Sequence, residues 1–121
     1  MADRWSRREQ SSGPRSISRA KLDAMVEEAT VDCYNESEQA TGLFTVLEDN
    51  LGVPFETSIL GVTVVVERFE LNSRDQIVAI CRRDQFRQAI PIVNLPLPRP
   101  APKGAEWIAA YRHWLRGEKI G

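Results

Sequence analysis

The spacing of apolar residues changes period twice along this chain, and those changes divide it into helices, a sheet and a last helix. Leu22, Met25, Val26, Ala29 and Cys33 recur at the intervals of one α-helical face. Ser18 stands before them as an N-cap. Ala40, Leu43, Phe44, Leu47 and Leu51 repeat the stripe. Asn35 is placed to cap this second helix, and Glu38, three residues on, holds the capping-box position. Gly52 offers a C-cap, and Pro54 forbids further helix.

From Phe55 the period falls to two. Residues 55–59 alternate, Gly61 turns the chain, and 62–70 is long and β-branched. Residues 76–82 alternate around Ile77, Ala79 and Cys81, and 85–90 pairs back across a tight Arg83-Asp84 turn. The polar run 71–75 links the hairpins, and 95–104, with four prolines, reads as an extended connector. A last helix over 105–116 presents Trp107, Ala110, Tyr111 and Trp114 as its packing face. The expected class is therefore α+β: two N-terminal helices, a small bent antiparallel sheet of the kind that closes into an SH3-like barrel, and one C-terminal helix. Residues 1–17 lack periodicity and read as a mobile basic tail, and 18–121 as a single domain. Trp5 is the tail's one large apolar residue and finds no place in the pattern.

With 121 residues and 42% hydrophobic composition, the chain can bury one core without disulfide staples. No apolar run approaches the roughly 20 residues of a membrane span, and the N-terminus has no apolar signal region. Cys33 and Cys81 lack C-x-x-C spacing and read as reduced, packed thiols of a cytoplasmic protein. His113, the single histidine, has no nucleophile motif around it and reads as a boundary or surface residue. The chain is not expected to be an enzyme.

Charge changes the picture more. The net charge is only −1, yet no Lys or Arg occurs between Lys21 and Arg68, a stretch that holds ten acids. An acidic pole of this kind argues for cations and against nucleic acid. Its densest part is the corner between the first two helices, where Asp32 ends one and Asn35, Glu36 and Glu38 open the other. Carboxylates about 5 Å apart repel by about 3 kcal/mol at an effective dielectric near 20. Calcium, a hard ion that accepts six to eight oxygens in irregular geometry, offsets such repulsion. Helix capping and the macrodipole also favour acids in a first helical turn, so spacing alone leaves both explanations open. Glu48 and Asp49 discriminate better, because they stand at the C-terminal end of the second helix, where negative charge is disfavoured. The two ends of that helix lie about 20 Å apart, too far for one ion to join. No EF-hand loop occurs.

The segments Val31-Asp32-Cys33-Tyr34-Asn35-Glu36-Ser37-Glu38-Gln39, Gly42-Leu43-Phe44, Leu47-Glu48-Asp49-Asn50-Leu51 and Pro54-Phe55 resemble a small bacterial calcium-binding family. That family is typified by a cyanobacterial protein tied to heterocyst differentiation (CcbP-like). Glu106-Trp107-Ile108, with Tyr111 and Trp114, resembles the family's C-terminal helix. The resemblance spans about residues 22–116, and its Asp-Cys-Tyr and Leu-Glu-Asp segments are the most specific. It implies Ca2+ binding at acidic surface positions and a signalling role as calcium buffer or sensor, with Asp32, Glu36, Glu38 and Asp49 matching acidic positions of the motif. Two other readings stay open. The acidic face could dock a basic protein partner, or Arg82, Arg83 and Arg87 could serve an RNA-binding small barrel.

Overall fold

Ser18 caps helix α1 (Arg19–Ala29) by accepting the Lys21 amide at 3.1 Å, and the computed structural model describes the chain from residue 17 to residue 118. The tail expected over 1–17 therefore lies outside the described residues, apart from Ile17, which packs against the core. Helix α1 ends earlier than its apolar stripe suggests. The Thr30 hydroxyl and amide both return to the Val26 carbonyl, and Asp32 enters the left-handed region at φ 64°. Cys33 therefore belongs to the turn rather than to the helical face, and Asp32 lies beyond the helix instead of ending it.

Helix α2 (Glu36–Asn50) begins at the expected cap. Gly42 lets it approach α1 closely: a Cβ there would collide with the Ala29 carbonyl oxygen and sit 3.3 Å from the Cys33 sulfur. Its C-terminal end differs from expectation. Leu51, not Gly52, is the C-cap, and the Gly52 amide is held by the Lys103 carbonyl at 2.9 Å. The helix stops where the connector crosses it.

Strands β1 (Phe55–Ile59), β2 (Val62–Leu71), β3 (Ile77–Arg83) and β4 (Phe86–Pro91) form an antiparallel meander in the order β1-β2-β3-β4. No ladder joins β1 to β4 among the described residues, so the sheet is open. The first hairpin turns at Leu60-Gly61, both with positive φ, which matches the twist of the flanking strands. The second turn falls at Asp84-Gln85, one residue later than expected. A β-bulge at Glu67 restores the side-chain phase of β2, so that Val66 and Phe69 both face the core.

Helix α3 (Glu106–His113) continues as a π-helical turn over Trp114–Glu118. It is buried on nearly every side rather than along one stripe, because it contacts both α1 and α2 as well as the 3-10 turn Ile92–Asn94. The Trp114 indole donates to Gln39 Oε1 on α2 at 2.7 Å, and the Tyr111 hydroxyl accepts the Ile77 amide at the start of β3. Arg112 donates to the carbonyls of Ile92 and Leu95. The proline-rich connector is pinned in turn by the Thr57 hydroxyl, which donates to the Pro96 carbonyl at 2.7 Å. No helix among the described residues is long and apolar enough to cross a membrane.

Candidate calcium-binding corner

The corner between α1 and α2 is organised by its own side chains. The Glu38 amide donates to Asn35 Oδ1 at 2.8 Å, and the Tyr34 amide donates to Glu38 Oε1 at 2.7 Å. This is a reciprocal cap shifted one residue outward from the usual capping box. The left-handed turn at Asp32 brings the chain back toward α2, a conformation that Asp tolerates better than most residues. The Cys33 thiol records the outcome. Burial raises its pKa, and the carboxylates of Glu38 and then Asp32 raise it further, so both acids lie within electrostatic reach of one sulfur.

Asp32, Asn35 and Glu38 are exposed and Glu36 is half-buried, each at the first turn of α2 or in the loop before it. They share a corner, but no three Asp, Glu, His or Cys side chains among the described residues stand close enough to form a ready-made metal cage. The corner's carboxylate and amide oxygens are hard donors that suit calcium, with Glu38 also accepting the Tyr34 amide and Asp32 standing in the loop before α2. The residues present therefore fit an ion that keeps part of its water shell. Glu48 and Asp49 occupy the opposite end of α2, both exposed, with no basic residue in that last turn and no ion pair among the described residues. Nothing brings them to the first corner.

Other charged residues are already engaged. Glu67, aimed by the bulge, accepts from Arg82 Nε at 2.6 Å and Arg87 Nε at 2.8 Å, with Arg68 at 3.8 Å. Two of the three hairpin arginines weighed for RNA are thus committed to one carboxylate. Those hydrogen bonds, Arg87's first, lower the Glu67 pKa from 4.5 to about 2. A depressed carboxylate pKa contributes stability that is present above the unfolded value and lost as pH falls through the folded one. The parent should accordingly lose stability between about pH 5 and pH 2. Glu67→Gln should flatten that decline, so the gap between parent and variant melting temperatures should narrow as pH falls. Parallel melting curves across the range would contradict the assignment.

His113 is buried, not at the boundary, and its Nε2 lies 2.6 Å from Asp23 Oδ1 on α1. Ninety residues separate these partners, so no local pattern signals the pair. Glu67 had a faint signal, as the single acid closing the Val62–Val66 run.

The calcium-binding family CcbP matches residues 23–115, a span that contains every acid discussed at both ends of α2. The chain belongs to this calcium-binding family. Its ion is therefore Ca2+. The crystal structure of Anabaena CcbP shares the fold, with a TM-score of 0.65 and 17% identity over 88% of this chain and 98% of that one. A calcium-binding protein in its calcium-binding form is similar at a TM-score of 0.68 and 18% identity, over the same shares. No curated protein sequence matches significantly.

Proposed function

We propose that this member of the CcbP family is a cytoplasmic calcium buffer whose ion sits at the α1–α2 corner. Asp32, Glu36 and Glu38 would hold it, with the Asn35 amide oxygen, backbone carbonyls and water completing the shell; Glu48 and Asp49 would form a second, separate site. The match of the calcium-binding family over residues 23–115, a span that includes this corner, carries this reading. Buffering is favoured over sensing because the cap hydrogen bonds organise the corner without the ion, leaving little conformational change for calcium to drive. A shell with few charged protein ligands and much water places the affinity toward the weak end of calcium sites, with Kd around 10⁻⁴ M or weaker. Two free thiols suit the reducing cytoplasm of a bacterial cell. We read the chain as a binding protein rather than an enzyme, its one histidine being paired with Asp23.

A second reading has one observation behind it. Val31 and Tyr34, 68% and 79% exposed, flank the acids and offer apolar contact to a basic protein partner.

Variants at the corner separate site from cap. Glu38→Gln keeps an acceptor for the Tyr34 amide, and Asp32→Asn keeps a residue tolerant of positive φ, so neither should disturb the fold. Calcium affinity should fall about tenfold in each, about 1.4 kcal/mol. Stability in chelator should stay level or rise as repulsion is relieved. Glu27→Gln, on the exposed side of α1, should change neither. Parental affinity in both corner variants would make the corner structural and favour the docking face.

A further inference from the structure

The inner face of the sheet is not fully covered. Toward the hairpin tips, Ile59, Val62, Val64 and Ile90 are only half-buried, and beside them lies an open groove of about 230 Å³. Phe86, 70% exposed, stands at its rim. One wall is β4, the last strand of an open sheet, whose residues 86–89 are all exposed and whose outer backbone edge meets no other strand among the described residues. An uncovered edge of this kind is where an extended segment can add by main-chain hydrogen bonding, with alternate side chains entering the adjoining hollow.

We propose that β4 and this groove form a docking site for an extended segment of a partner protein that carries an apolar side chain and, two residues along, an acidic one. The apolar residue would lie against Val64 and Ile90. The acid would reach Arg83, which faces Phe86 in the β3–β4 ladder. Charge selects this occupant. The groove is lined by Arg83 and Arg87 and by no acid. Arg87 is committed to Glu67, whereas Arg83 is more than half exposed, and its ion pair with Asp84 is stretched to 4.0 Å. A second copy adding through its own β4 would bring two Arg87 into one ladder, with an Arg83 at the end of the adjoining β3 on either side. Residues 1–16 carry four arginines against two acids and would be repelled in the same way. The proposal is independent of the calcium site, which lies on the helical corner.

The test is a two-dimensional NMR titration of the full chain with a synthetic peptide of alternating valine and threonine bearing one glutamate, and with its lysine counterpart. The glutamate peptide should shift amides of residues 83 and 86–90, and the lysine peptide should not. Arg83→Glu should weaken the glutamate peptide by about fivefold or more, since a rim charge is reversed rather than merely removed. The same change should transfer binding to the lysine peptide. Shifts absent from β4, equal for both peptides, or unaltered by Arg83→Glu would overturn the proposal. It would equally be overturned by β4 shifts that depend on protein concentration alone, which mark a second copy, or by β4 shifts on Trp5→Ala, which mark the chain's own first segment.

Discussion

Gly104→Ala should cost about 3 kcal/mol or more, a large share of the 5–15 kcal/mol by which domains are ordinarily stable. Two causes act together. Gly104 has φ 85°, where an L side chain costs roughly 1–2 kcal/mol. A Cβ there would also collide with the Asn50 carbonyl oxygen, 2.6 Å from the carbon that bears it and 2.9 Å from Leu51 Cα. All three atoms are backbone, so no rotamer change relieves the contact. The connector would have to lift from the end of α2, breaking the Gly52 amide bond to the Lys103 carbonyl. Urea denaturation should show a sharply lowered midpoint for Gly104→Ala. Gly117→Ala, where nothing lies within 4 Å of the added carbon, is the control and should melt like the parent. Similar midpoints for all three proteins would show that the connector does not press on α2 as described.

Trp114→Ala should be about as damaging, in the range of 3–5 kcal/mol typical of a large aromatic deleted from a core. Trp114 is 1% exposed, stacks on Tyr111 at 5.9 Å between ring centroids, and donates to Gln39. Deleting it leaves a cavity and strips the buried Gln39 carbonyl of its donor. The two contributions can be told apart. Trp114→Phe retains most of the packing but orphans Gln39, whereas Trp114→Phe with Gln39→Leu removes both polar partners. The double variant should regain part of the loss seen in Trp114→Phe alone. A double variant less stable than the sum of its single changes would assign the cost to packing and not to the hydrogen bond.

Both positions show what the sequence makes legible and what it hides. The helical stripes at Leu22–Ala29 and Ala40–Leu51 reflect burial on one face and are readable because burial follows the helical period. Asn35 and Glu38 are readable because capping is local, an exchange over four residues. One error is local: Cys33 continues an apolar spacing, but Thr30 folds back on Val26, four residues earlier, and the helix ends. The others lie where distant segments decide. Gly52 has the composition of a C-cap, but the carbonyl that holds its amide comes from Lys103. The pairing of His113 with Asp23 is a tertiary fact without a local signature, and the bulge at Glu67 left only the faint one of an acid closing an apolar run. At the candidate site the same division holds. The acids and their capping roles can be read from spacing, but how far Asp32, Glu36 and Glu38 converge depends on the left-handed turn at Asp32 and the close helix approach at Gly42.

Calorimetric titration of the full chain with calcium, in a background of millimolar magnesium, tests the central claim most directly. The α1–α2 corner offers carboxylate and amide oxygens on a capped helix start and the loop before it, which suits calcium's irregular shell of six to eight ligands and not magnesium's tight octahedron. The predicted result is a saturable calcium heat that persists in magnesium, is weakened by Glu38→Gln, and is unaffected by Glu27→Gln. Equal heats for the two ions, or a calcium heat untouched by both Asp32→Asn and Glu38→Gln, would contradict a calcium site at this corner.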